Sequence, residues 1–271
     1  MHSPQHLPDA NRLSVITAAI LLVYALTPFV NLPGQQIDLQ LPGFLFELQL
    51  NFNTMVSILV ALLAAAGTDW LLQGHPTAAG AARLPNWLLP ALTAWVIGVP
   101  LTTLEVSTEW WVVFALGGLL LILVLVAEYI VVDPNDIRHA PASIGLIAVS
   151  FALYLVLAIS IRAAPFRLYA VLFALAPTVF LVSIRTLYLR SGGRWLLSWA
   201  VGITLVIGQI ATGLYYLPIS PLRFGLILLG LTYALTALAS GIEEQRSPSV
   251  IWVEPVIMLI VIWSMAIFVR G

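Results

Sequence analysis

The chain has 271 residues, 61% of them hydrophobic and only 8% charged, with a net charge of −1 and a mean hydropathy of +1.03. Soluble domains carry about a quarter of their residues as charges, so this chain has too few to cover a water-facing surface; the near-zero balance itself argues neither for nor against nucleic acid, and no nucleic-acid partner is expected. All eleven basic residues are arginine and cysteine is absent, which removes Schiff-base and Walker-lysine chemistry, disulfides, thiol nucleophiles, iron–sulfur ligation and cysteine zinc sites.

Apolar runs long enough to span a bilayer recur from end to end. Residues 1–11 are polar, hold two prolines and two histidines, and read as a disordered tail. His2 and His6 have i,i+4 spacing but no helix to make a metal site of it. The first apolar segment, 12–30, starts like a signal sequence. It is longer than a typical h-region and no small-residue cleavage site follows, so it reads as a retained helix. Residues 31–53 form the one long connection. Residues alternate in polarity over 37–41 and 44–52 around Pro42-Gly43, the pattern of a β-hairpin with one apolar face; an irregular interfacial loop is the other reading. Further spans are expected at 54–72, 84–104, 110–132, 142–161, 168–189, 195–217, 222–240 and 250–269. The 84–104 segment carries Pro85, Pro90 and Pro100 and is expected to bend. Trp110-Trp111 reads as an interfacial pair opening the next span.

Threading nine helices from the N-terminus puts Arg12, Arg83, Arg138, Arg185, Arg190, Arg194 and Arg246 on one side. Arg162, Arg167, Arg223 and Arg270 fall on the other, seven against four. The positive-inside rule then places the N-terminus in the cytoplasm and the C-terminus outside, in a bacterial-type cytoplasmic membrane. Were the proline-rich segment only to dip in and out, the count would become six against five.

Ionisable groups inside a span are costly and mark function by default. Asp69, Glu128, Arg185 and Glu254 each lie about one turn inside an apolar segment, on the order of 6–8 Å below its end. Glu254 near a helix N-terminus and Arg185 near a C-terminus suit the helix dipole; Asp69 and Glu128, acids near C-termini, need a cation or a strong donor. The expectation is a cytoplasmic-side cluster of these four, with Arg83 and Arg138 in adjoining turns and His75 close by as supporting groups. Separate snorkelling to the headgroups is the alternative. Gln209, among Gly208, Thr212 and Gly213, reads as a helix-packing amide.

Phosphate-loop, dinucleotide, zinc-protease and nucleophile-elbow motifs are absent from the sequence. Glu243-Glu244-Gln245-Arg246 has one residue between the acid pair and the arginine and sits in a turn, which does not fit the intramembrane prenyl-protein peptidases. Asp133-Pro134-Asn135-Asp136 reads as a solvated turn. Gly-Thr-Asp-Trp-Leu-Leu-Gln-Gly-His-Pro at 67–76, followed by Pro-Asn-Trp-Leu-Leu-Pro-Ala-Leu-Thr-Ala-Trp-Val-Ile-Gly at 85–98, resembles an uncharacterised family of bacterial polytopic membrane proteins. That resemblance implies an architecture and no activity.

The expected fold is thus an all-α integral membrane bundle of about nine transmembrane helices, one polytopic domain over 12–271, with a β-hairpin in an extracytoplasmic 31–53 loop. Neither cofactor nor metal is expected. The bilayer is the first partner, and a membrane-protein partner or a second copy the next. Three functional classes follow in order: a structural or accessory subunit, a transporter of a small or amphiphilic solute with the charge cluster as gate or proton site, and an enzyme on a lipid-linked substrate with Asp69 or Glu128 as base or metal ligand.

Overall fold

A computed structural model of the chain describes residues 7–30, 35–41, 44–50, 52–75 and 84–268. In chain order the elements are α1 (Ala10–Leu26), a 3₁₀ turn (Thr27–Phe29), β1 (Gln35–Leu41), β2 (Phe44–Leu50), α2 (Phe52–Leu72), α3 (Leu84–Thr103), α4 (Thr108–Val131), α5 (His139–Ala163), α6 (Leu168–Arg190), α7 (Leu197–Tyr215), α8 (Pro221–Glu243), the single turn α9 (Pro248–Ile251) and α10 (Val253–Phe268). Among the described residues nine helices are long and apolar enough to cross a membrane; α9 joins α10 in the last of them. The chain divides into two compact units, Met1–Ala142 and Ser143–Gly271.

In the first unit α1 begins at Ala10, within the stretch that composition marks as a tail. The Asp9 carboxylate accepts from the Asn11 N–H at 2.9 Å, an N-cap that satisfies one of the helix's orphan donors. The buried face of α1 is Ile16, Ile20 and Tyr24; that of α2 is Val56, Val60, Ala64 and Thr68. Both rows step by four residues, the ridge that one helix seats in the groove of another. Gly67 makes the α1–α2 approach possible, since a Cβ there would come within 2.6 Å of Ile16. Tyr24 reaches across to α3 and donates its hydroxyl to the Ala94 carbonyl at 2.5 Å, beside Gly98. The proline-bearing α3 runs unbroken from Leu84 to Thr103 and buries Asn86, Thr93 and most of its apolar side chains. Its burial explains how a helix with internal prolines is tolerated at membrane depth: neighbouring helices cover it. Trp110 is 1% exposed and donates its indole N–H to the Leu101 carbonyl at 3.0 Å. Trp111 is exposed, so only one member of the expected interfacial pair faces outward. β1 and β2 pair antiparallel, Gln35 opposite Leu50 and Leu41 opposite Phe44.

The second unit is built on α8, which contacts α6, α7 and α10. Its polar side chains serve the interior: the Thr232 hydroxyl lies 3.3 Å from that of Tyr154 on α5 and donates to the Leu228 carbonyl at 2.8 Å, while Thr236 donates to the Thr232 carbonyl at 2.9 Å. By bonding back to their own helix, these α8 hydroxyls satisfy themselves in an apolar interior. α7 and α10 bury only a thin stripe each: Ala200, Ile203, Ile207 and Ala211 on α7, and Pro255, Ile262 and Ala266 on α10.

Candidate functional site

The ionisable residues gather at helix ends. In the first unit the start of α1, the end of α2, the start of α3 and the end of α4 share one end of the bundle. Asp69, in the last turn of α2, accepts from the Gln73 amide at 3.0 Å. Glu128, in the last turn of α4, is fully buried, and its backbone carbonyl accepts from the Asn86 amide of α3 at 3.4 Å. His75 is 7% exposed and meets the Tyr129 ring edge-on at 4.5 Å between centroids. Among the described residues, Arg12 reaches this end from α1. Its guanidinium donates to the Trp70 carbonyl at 2.9 Å, lies 5.4 Å over the Trp70 ring and approaches Asp9 at 3.9 Å. Trp70 belongs to the last turn of α2, whose carbonyls lack helical partners and carry the negative end of the dipole; Arg12 answers both needs from another helix. Arg83, His2 and His6 lie outside the described residues.

In the turn between α4 and α5, Arg138 closes on Asp136 at 2.8 Å. Hydrogen bonds from the Arg138 side chain and backbone hold the Asp136 carboxyl at about 2, below its ordinary 3.8. The same hydrogen bond holds Arg138 above its ordinary value.

In the second unit the end of α6, the start of α7, the end of α8 and the start of α10 carry a belt of pairs. Glu254 accepts from Arg190 at 2.8 Å and from the Tyr233 hydroxyl at 2.8 Å, with Arg246 at 3.9 Å. The Arg190 guanidinium also lies 5.1 Å over the Tyr233 ring. Glu243 accepts from the Trp199 indole at 3.0 Å and from Arg194 at 3.2 Å, and Arg246 pairs with Glu244 at 2.7 Å. Arg185 is 1% exposed, its guanidinium 5.6 Å over the Tyr188 ring.

Of the four residues singled out by depth, Asp69 and Glu128 belong to the first unit and Arg185 and Glu254 to the second. The residues that engage them or their neighbours include three that depth alone did not select: Arg12, Arg190 and Tyr233. Arg12 carried a signal, a cation in the first turn of the first span, opposite the polar 67–76 stretch in an up-and-down threading. Gln209 is exposed on α7, and a Cβ at Gly202, Gly208 or Gly213 would meet nothing within 4 Å; among the described residues no helix lies against this face. Among the described residues no group of three or more histidine, aspartate or glutamate side chains is placed to hold a metal ion.

No curated protein and no solved structure matches the chain. One family model does, described as "Protein of unknown function (DUF5656)", over residues 32–269. That match takes in all but the first of the membrane-spanning helices and the belt of paired charge in the second unit, and by it the chain belongs to this family, as a multi-pass membrane protein.

Proposed function

We propose that the protein is a structural or accessory subunit of a membrane assembly, and that α7 is the helix through which it joins a second transmembrane helix. The observation that carries this reading is Gln209. Its amide sits about 9 Å inside the nearer end of α7, on an exposed face where Gly202, Gly208 and Gly213 leave open space. An amide facing hydrocarbon without a partner is costly. Small residues around a polar one are what closely packed membrane helices use, and such interhelical bonds contribute on the order of 1 kcal/mol. The charged residues support the same reading, because Arg12, Arg190, Arg194, Glu243 and Glu254 are engaged by helix ends and by one another.

The proposed threading has the N-terminus in the cytoplasm, the C-terminus outside and the β1–β2 hairpin on the extracytoplasmic face, in a bacterial-type cytoplasmic membrane. The arginine bias of seven to four supports it.

Cross-linking in native membranes tests the subunit reading. A cysteine in place of Val206, one turn from Gln209 on the same exposed face, is the sole thiol in the chain. It should form a cross-linked species larger than the monomer, and Gln209→Leu should reduce that species several-fold while folded protein is maintained. Cross-linking unchanged by Gln209→Leu, or absent throughout, would sink the proposal. Transporter or enzyme readings would instead gain from a charge variant, such as Glu128→Gln, that stays folded and abundant yet fails to complement a deletion strain.

A further inference from the structure

α7 buries Ala200, Ile203, Ile207 and Ala211 within its own unit. On its other side Ser198, Gly202, Leu205, Gln209 and Thr212 follow one another at steps of four and three residues. Ser198, Leu205 and Gln209 are exposed, and Gly202 and Thr212 partly so. This spacing keeps all five on one seam when two helices cross at about 20°. Thr212 is satisfied by its own helix, donating to the Gly208 carbonyl at 2.8 Å. Gln209 is not: among the described residues nothing bonds to its amide.

A primary amide is its own complement in charge. Its NH₂ is the positive end of the dipole and donates; its oxygen is the negative end and accepts. With one threading for every copy, two copies pair about an axis along the membrane normal, and their α7 helices run parallel. Such an interface is isologous, so a residue on the axis meets its own counterpart. Each Gln209 amide then donates to the oxygen of the other at the same depth. A helix of a different protein would have to bring both a donor and an acceptor to that depth; a second copy brings them by symmetry. Two turns toward the start of α7, Gly202 meets its counterpart too, and no side chain there holds the backbones apart.

We propose that the open face of α7 is occupied by a second copy of this chain, in a parallel two-fold dimer whose two Gln209 amides hydrogen-bond to each other across the axis. The inference rests on α7 being the joining helix and names what it joins.

The test co-expresses two full-length copies with different epitope tags, each carrying Leu205→Cys on the seam, in a chain with no other thiol. Mild oxidation of native membranes should give a disulfide-linked species that carries both tags. Ile260→Cys, at an equally exposed position on α10, should give only the background of chance collisions. Gln209→Leu in both copies should lower the doubly tagged species about fivefold. Gln209→Leu in one copy alone should lower it at least as far, because each amide loses its only partner. A mixed pair of intermediate yield would overturn the amide pairing, and a Leu205→Cys yield no higher than that of Ile260→Cys would overturn the dimer. A benzophenone carried on the same thiol separates this inference from the reading beneath it. Photocapture of a species with one tag only would leave α7 as a joining helix and overturn the second copy as its partner. Capture of nothing would overturn both.

Discussion

At the scale of single residues, the end of α8 shows a backbone held against its preference. The Arg246 N–H bonds to the Gly241 carbonyl at 3.1 Å and the Gln245 N–H to the Ile242 carbonyl at 3.0 Å. This pair of bonds is the Schellman arrangement, and it needs a left-handed residue between them. Gln245 supplies it at φ 53°. The end of α6 does the same job with Gly192 at φ 64° and Gly193 at φ 89°, the Gly193 N–H bonding to the Tyr188 carbonyl at 2.9 Å. A left-handed conformation costs a residue with a Cβ roughly 1 kcal/mol that glycine avoids. Gln245→Gly should therefore raise stability by about 0.5–1 kcal/mol, net of the extra freedom glycine gives the unfolded chain. Unfolding in mixed micelles measures it, and a loss of stability would show that the Gln245 side chain contributes more than its backbone costs. The sequence marked 243–246 as a turn from its polarity, but nothing in it said which residue takes the left-handed position. The same limit explains the partner of Glu254. Hydropathy gives depth, and Arg185 and Arg190 both lie near the end of α6. They are five residues apart, so their side chains leave the helix about 140° apart. Only the rotation of α6 against its neighbours decides which one Glu254 meets, and that rotation is set by packing that no local pattern encodes.

At the scale of elements, the belt of pairs in the second unit ties the start of α10 to two neighbouring helices. α10 buries three of its side chains, and Glu254 ties its start to α6 through Arg190 and to α8 through Tyr233. Arg190 sits at a helix C-terminus and Glu254 at an N-terminus, so each also suits its own dipole. Glu254→Gln and Arg190→Gln should each cost on the order of 1 kcal/mol. The double variant should cost clearly less than the sum, because each single change strands the other charge. Additive costs in that cycle would mean that the pair holds nothing together. The turn between α4 and α5 makes a pH-dependent prediction. Asp136 has its carboxyl lowered to about 2 from an ordinary 3.8 by Arg138. A group depressed in the folded state contributes fully above its ordinary value and loses that contribution as pH falls through the folded one. The stability advantage of the wild type over Asp136→Asn should be constant above pH about 5 and shrink to nothing between about 4 and about 2. Other carboxylates titrate alike in both proteins and cancel. An advantage that persists at pH 2 would show that Asp136 does not act through its charge. Element existence was the most legible level of this chain. Each expected apolar segment falls on one candidate span, the last of them on α9 and α10 together, because a helix must satisfy its own backbone in lipid and needs its full apolar length to do so. The ends moved by a few residues where caps decide them, as Asp9 does for α1.

At the scale of the whole molecule, the threading depends on α3. It carries two internal prolines, Pro90 and Pro100, and it buries more of itself than most. A fully crossing α3 gives the seven-to-four arginine bias, and a re-entrant one would leave six to five, too even to orient the chain. A chain with no cysteine of its own permits the decision with single thiols and a membrane-impermeant maleimide on intact cells. Cysteines replacing Leu7, Val106, Asn135 and Ala164 probe four successive exposed stretches: before α1, between α3 and α4, between α4 and α5, and between α5 and α6. With nine crossings and a cytoplasmic N-terminus, the Val106 and Ala164 positions label on intact cells, while Leu7 and Asn135 label only after permeabilisation. An inverted chain reverses all four. A re-entrant α3 leaves Leu7 protected and reverses the other three. The three arrangements give three different patterns, and only the first keeps Arg12, Arg138, Arg190 and Arg194 on the cytoplasmic face, where the positive-inside rule requires an excess of cations.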